Sequence, residues 1–159
     1  MARGSPHVIS FQETWRLAAP PEVVWEEVEH LERFPWWFDW LGRYQVEGEG
    51  LVEGTVLRGV VRPPLPYRMV LAVHLDHCAR PHRIEATVSG DLEGTGAVAL
   101  RPEGPGASRA TASWRLEMRQ PAMRAAARVA APLLRWGHDR VIDATVGGFR
   151  RHIEPAARR

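Results

Sequence analysis

The chain has 159 residues, 45% hydrophobic and 25% charged, with a formal net charge of +2, the length and balance of one domain able to bury a sizeable core. No apolar run approaches the ~20 residues of a membrane-spanning helix, Met1–Pro6 lacks the apolar stretch of a secretory leader, and the single Cys78 has no internal disulfide partner; the expectation is a cytoplasmic protein with no stable membrane insertion. The basic residues are all arginine, a pattern that GC-rich coding explains, and they are interspersed with acids such as Glu26, Glu27, Glu29 and Glu32; this argues against a nucleic-acid partner.

Val8 to Leu17 alternates, with Ile9, Phe11, Trp15 and Leu17 on one face, and reads as a half-buried strand. Pro20-Pro21 stops it and suits the first turn of a helix. Val23, Val24 and Val28, with Glu22, Glu26, Glu27 and Glu29 between them, predict a short amphipathic helix over Pro21–His30. Leu31 to Phe38 is a second short helix or turn, broken at Pro35. Strands follow over Tyr44–Glu47, Thr55–Arg62, Tyr67–Cys78 and His82–Ser89. Gly94 and Gly96 are expected to bracket a turn or bulge before a strand at Ala97–Arg101. Pro102–Ala107 is a Gly/Pro-rich hairpin loop, and Ser108–Met118 alternates well.

After Pro121 the period changes. Met123, Ala127, Ala130, Leu134, Gly137, Val141, Ala144 and Gly148 recur at spacings of four and three, so Pro121–Ile153 is one long helix, with a bend expected at Pro132, or two helices joined there. Its seam is mostly small residues, which either lets backbone approach closely or leaves room for something else. Short strands joined by turns make an antiparallel sheet, and only the last helix is long enough to cover one face of it. The fold class is α+β: seven antiparallel strands, two short helices after the first, and a long C-terminal helix. The contact between helix and sheet is expected to bury Met69, Leu71, Trp114, Leu116 and Val141.

Trp36, Trp37 and Trp40, with Phe34, either form the mouth of a pocket for a greasy ligand or plug the open end of the core. His74, His77, Cys78 and His82 invite a metal site, but His74 and His77 are an odd number apart and no carboxylate set or CxxC accompanies them; no metal and no cofactor is expected. His138 shares a helical stripe with Ile142, Thr145 and Phe149. It is the one catalytic candidate, as a cavity acid or base; a structural histidine is the favoured alternative, because no nucleophile partners it. Asp139 and Asp143, near Arg135 and Arg140, read as an ion-paired surface. Arg58 and Arg62 read as outer-face residues. Tyr67 is placed on the apolar face of its strand, where its hydroxyl meets either a ligand oxygen or water.

The opening "FQETWRLAAPPEVVWEEV" from Phe11, then "LERFPWWFDWLGRYQV" from Leu31, "GDLEGTGAVAL" from Gly90 and "PAMRAAARVAAPLLRWGHDRVIDATVGGFRR" from Pro121, resembles the START-like (SRPBCC) superfamily, and within it the polyketide cyclase/dehydrase group. The resemblance covers nearly the whole chain. Related sequences carry Asn-His-Asp where this one has Gly137-His138-Asp139. The resemblance implies a helix-grip fold over residues 6–154, with 155–159 as a tail. It implies binding of lipids, hormones or polyketides, with only some members being enzymes. The function expected is therefore binding of a small hydrophobic or aromatic molecule, lipid- or polyketide-like, between sheet and helix. Trp36, Trp37, Trp40, Tyr67, Met69, Leu71, Trp114, His138 and Val141 are the candidate ligand contacts. A polyketide aromatase/cyclase or dehydrase using polar cavity residues is the alternative. The sequence carries no signal for an oligomeric state.

Overall fold

Strand β1 (Val8–Leu17) pairs along its whole length with β7 (Ser108–Met118), placing Phe11 directly opposite Trp114. A computed structural model describes Ser5 and residues 7–159; Met1–Gly4 and Pro6, including the expected start of the domain, lie outside the described residues. The remaining strands are β2 (Leu41–Glu47), β3 (Val56–Val61), β4 (Met69–Ala79), β5 (Arg83–Gly90) and β6 (Leu92–Pro102). They form one antiparallel sheet in the order β1-β7-β6-β5-β4-β3-β2. β1 and β2 are consecutive in the chain yet occupy opposite edges. The segment between them crosses the sheet, and it holds helix α1 (Pro21–Val28), a 3-10 turn (Leu31–Arg33) and helix α2 (Phe34–Trp37).

Two local expectations are corrected. Pro35 does not break the second helix; it sits in the first turn of α2, where a missing N–H costs nothing. Gly94 and Gly96 do not precede β6 but lie within it, paired with Leu116 and Trp114 of β7. At Gly94, φ is +156° and a Cβ would lie 1.9 Å from the Arg115 carbonyl oxygen, so glycine alone permits the strands to meet there. The residue that signalled a turn is what keeps the strand continuous.

Helix α3 (Pro121–Ile153) has 33 residues and is ~50 Å long at 1.5 Å per residue. Its irregularity falls at Ala130 (φ −136°, ψ 34°), two residues before Pro132. Proline removes the N–H that would bond the Arg128 carbonyl and crowds the preceding turn, so the distortion appears upstream of the ring. The two ends of α3 are anchored separately. Met123, Ala127 and Leu134 pack with Met69, Leu92, Leu116 and Met118. Ile153 packs with Leu17, Trp25, Leu31, Trp37 and Phe38 beneath α1 and α2. At Gly148 a Cβ would meet the Trp37 carbonyl oxygen at 2.7 Å and the Phe38 ring at 2.9 Å. Between these anchors the helix does not seal onto the sheet. Met69 and Leu116 are buried as expected, but Leu71, Trp114 and Val141 are only half-buried, because they face open space. No described helix is long and apolar enough to cross a membrane.

Candidate functional site

The space between the middle of α3 and the sheet is a cavity of about 580 Å³, within the size range of small-molecule sites. α3 supplies His138, Val141, Ile142 and Thr145 as the roof. Met69, Leu71, Trp114, Leu116 and Phe11 form the floor, and Trp40, Pro63 and Tyr67 form a side wall. Of the lining residues, Gln12 and Glu13 on edge strand β1 and Arg135 and Asp139 on α3 are exposed. They place the mouth between that edge and the helix. A second hollow, about 690 Å³, lies on the outer face of the sheet. It is more open, with a lining that mixes polar and apolar groups, and its arginines already have partners: Arg83 with Glu85 and Arg115 with Ser10.

The cavity follows from two close approaches. The β3–β4 loop folds against α3, with Leu65 Cδ1 only 2.5 Å from where a Cβ would stand on Gly137. Gly148 does the same for α2. The small residues of the helical seam thus serve contact, not space, and Ala144 is exposed. The room is left at Val141 of the seam and beside it, along His138, Ile142 and Thr145.

The polar chemistry inside is sparse. Trp114 Nε1–H donates to His138 Nε2 at 3.3 Å. Indole nitrogen is only a donor, so His138 Nε2 must be the acceptor and the neutral ring carries its proton on Nδ1. That Nδ1–H faces Asp139 Oδ1 at 3.1 Å. The imidazole is also held edge-on by Phe11, at 5.2 Å between ring centres, and Phe11 stacks on Trp114 at 4.2 Å. Both ring nitrogens are therefore engaged within the protein. Tyr67 contributes a half-buried phenol to the cavity wall. Burial pushes its phenol up, so it remains a protonated donor and acceptor throughout the physiological range. Thr145 spends its hydroxyl proton on the Val141 carbonyl at 2.7 Å.

The expected contact residues divide. Trp40, Tyr67, Met69, Leu71, Trp114, His138 and Val141 all line the cavity. Trp36 and Trp37 do not. Trp36 is 78% exposed. Trp37 is buried in the other core, stacked on His152 at 4.9 Å and edge-on to Phe149. α2 lies over the C-terminal end of α3, beyond the reach of the cavity. The aromatic cluster is thus split: Trp37 plugs the core and Trp40 faces the pocket. Arg58 is paired with Glu47 at 2.8 Å outside the cavity. His74 meets Ser89 at 3.2 Å, and a bulge between Leu75 and His77 interrupts the strand alternation assumed for the histidines.

Residues not singled out from the sequence include Glu13, Leu116, Met118, Ile142 and Thr145 as liners. Glu13 was legible: it shares parity with Phe11 and Trp15 on β1, and its charge obscured the pattern. Ile142 and Thr145 follow from His138 by helical spacing.

Residues 8–154 match the family described as polyketide cyclase / dehydrase and lipid transport. Solved structures share the fold over nearly the whole chain. A START superfamily protein from Mycobacterium smegmatis is 16% identical with a TM-score of 0.70, covering 94% of this chain and 98% of that one. The Zhui aromatase/cyclase from Streptomyces sp. R1128 is 16% identical at 0.68, covering 96% and 95%. A conserved protein from Geobacillus kaustophilus is 12% identical at 0.77, covering 93% and 97%. No curated protein matches the chain.

Proposed function

The chain belongs to the polyketide cyclase / dehydrase and lipid transport family, and from that premise we propose that it binds a small hydrophobic or aromatic molecule, lipid- or polyketide-like, in the cavity beneath α3. The observation that carries this reading is the lining itself. A volume of about 580 Å³ is walled chiefly by apolar and aromatic side chains, with its charged residues Glu13, Arg135 and Asp139 among the exposed ones at the mouth. At ~25 cal/mol per Å² of apolar area buried, a mid-sized ligand reaches affinity on the order of micromolar without any charged contact. Trp40, Tyr67, Met69, Leu71, Trp114, His138 and Val141 are the proposed contacts, with Tyr67 as the inner hydroxyl available to a ligand oxygen. Displacement of an environment-sensitive fluorescent probe by polycyclic phenols and by fatty acids tests the reading and ranks the two chemistries.

The second reading, an aromatase/cyclase or dehydrase, draws on His138 and Tyr67 facing one cavity and on the fold shared with the Zhui aromatase/cyclase. Against it stands the tautomer of His138. Its Nε2 lone pair is held by an indole N–H and its Nδ1–H by a carboxylate, so proton transfer to a substrate first breaks one of those bonds. Conversion of His138 to Gln tests the second reading: an enzyme that uses this imidazole loses turnover of a poly-β-keto substrate by far more than the change in probe affinity that follows from altering one of the seven proposed contacts, whereas a binding protein shows that affinity change alone.

A further inference from the structure

The first half of α3 has two apolar faces. One, through Met123, Ala127 and Leu134, packs onto the sheet. The other faces solvent: Val129 is 87% exposed, Leu133 51% and Trp136 48%, and the exposed Ala122 and Ala125 extend the stripe toward the start of the helix. Those positions recur every three or four residues over a span of ~21 Å, with Ala122, Ala125 and Val129 before the irregularity at Ala130 and Leu133 and Trp136 after it. Beyond Trp136 the outward face turns polar, with Asp139, Arg140 and Asp143.

The charge around this line is one-sided. Pro121 to Trp136 contains Arg124, Arg128 and Arg135 and no carboxylate. Elsewhere Arg16, Arg33, Arg58, Arg80, Arg83, Arg109, Arg119 and Arg140 each lie beside an Asp or Glu, while others such as Arg43, Arg62 and Arg68 have no such partner among the described residues; what sets this stretch apart is that its arginines flank an apolar stripe with no carboxylate within it. Arg128 and Arg135 have no such partner among the described residues. An apolar stripe ending in tryptophan and flanked by unneutralised arginines matches a surface that offers anionic groups above an apolar layer. A second copy of the chain fits poorly, since pairing the two stripes sets arginine against arginine with no acid between.

We propose that the first half of α3 docks peripherally on an anionic lipid surface, with Val129, Leu133 and Trp136 entering the interface and Arg128 and Arg135 reaching the phosphates. The same helix carries Arg135 and Asp139 at the cavity mouth, so docking sets that mouth beside the membrane. The docking stands without the cavity-binding reading; exchange of a ligand between bilayer and cavity rests on both.

Vesicle flotation of the full chain tests it, using phosphatidylcholine alone and phosphatidylcholine with about 30% phosphatidylglycerol. The expected result is flotation with the anionic vesicles only, weakened severalfold by high salt. Leu133→Glu with Trp136→Glu, at two exposed positions outside the cavity, should lower the vesicle partition at least about tenfold, and Arg128→Glu should do so independently. Melting temperature and probe binding in vesicle-free buffer should be unchanged in these variants; that second assay reports the cavity reading separately. Absence of flotation with anionic vesicles, equal binding to neutral ones, or undiminished binding by the variants overturns the proposal. So does a wild-type dimer in solution that the same substitutions dissociate, which would assign the stripe to a second copy.

Discussion

The indole of Trp114 and the imidazole of His138 meet across the cavity at 3.3 Å, from β7 to α3, with the indole as donor. The bond ties the roof to the floor where no side chain fills the space between them, and it fixes the tautomer of the one histidine in the pocket. Neutral His138 is expected to carry its proton on Nδ1. Long-range ¹H–¹⁵N spectra of the imidazoles distinguish the tautomers directly, and an Nε2-protonated ring would contradict the arrangement. Trp114→Phe keeps the stack on Phe11 and removes the donor, and should lower stability by about 1 kcal/mol in a urea melt.

Gly137 and Gly148 both allow close contacts, but their substitutions should differ. A Cβ at Gly148 meets a backbone carbonyl oxygen at 2.7 Å and the Phe38 ring, neither of which yields readily. Gly148→Ala should cost roughly 1–3 kcal/mol. At Gly137 the obstacle is the tip of Leu65, a flexible side chain, with the Tyr67 hydroxyl 3.8 Å away. Gly137→Ala should therefore cost less in thermal or urea melts, while shifting the loop wall and altering probe affinity. Equal stability losses at the two sites would show that the loop is as rigid as the α2 contact.

Leu71 and Leu31 offer a second contrast. Leu31 is 2% exposed within a close-packed core, and Leu31→Ala should cost ~3–5 kcal/mol. Leu71 lines the cavity and makes fewer contacts, so Leu71→Ala should cost ~1–2 kcal/mol and change ligand affinity instead. Denaturant midpoints with unchanged slope give both numbers. A Leu71→Ala loss as large as that of Leu31→Ala would mean the helix closes onto the sheet.

The alternating strand Ser108–Met118 and the helix opened by Pro121 are found with the bounds that the sequence predicts, because period and punctuation are local properties. The antiparallel sheet under one long helix follows from the same signals. What local pattern does not carry is which of two cores an aromatic residue enters. Trp37 and Trp40 are three residues apart, yet one is locked under α2 and the other faces the cavity. Their separation depends on α2 ending at Trp37 and the chain turning into β2. The role of Gly137 was equally hidden, since a glycine in a seam reads the same whether it leaves space or receives Leu65. Glu13 is a different case: it has the strand parity of Phe11 and Trp15, yet as a charged residue at the exposed mouth it falls outside the apolar pattern by which that face is read.

The two tyrosines should titrate late. Burial, with Glu32 adding, pushes Tyr44 up to about 12, while its hydroxyl donates to the Leu31 carbonyl at 2.9 Å; burial also raises Tyr67. The folded chain holds these protons more tightly than the unfolded chain. Their contribution is thus complete below the ordinary tyrosine pKa of 10.0 and is lost as pH rises through the folded values. Phenolate absorbance should rise above pH 10 for both residues, together with falling stability. Ionisation of either at the value of free tyrosine would show that it is open to solvent.

The central claim, that the cavity beneath α3 holds a small apolar or aromatic ligand, is tested most directly by calorimetric titration of such a ligand into three proteins: wild type, Val141→Trp and Trp36→Ala, each verified as folded by its melt. The account predicts saturable one-to-one binding with a negative heat-capacity change in wild type. It predicts loss of at least about tenfold when Val141→Trp fills the cavity, and no change in Trp36→Ala. Unchanged affinity in the filled variant, or loss confined to Trp36→Ala, would place the ligand elsewhere and contradict the account.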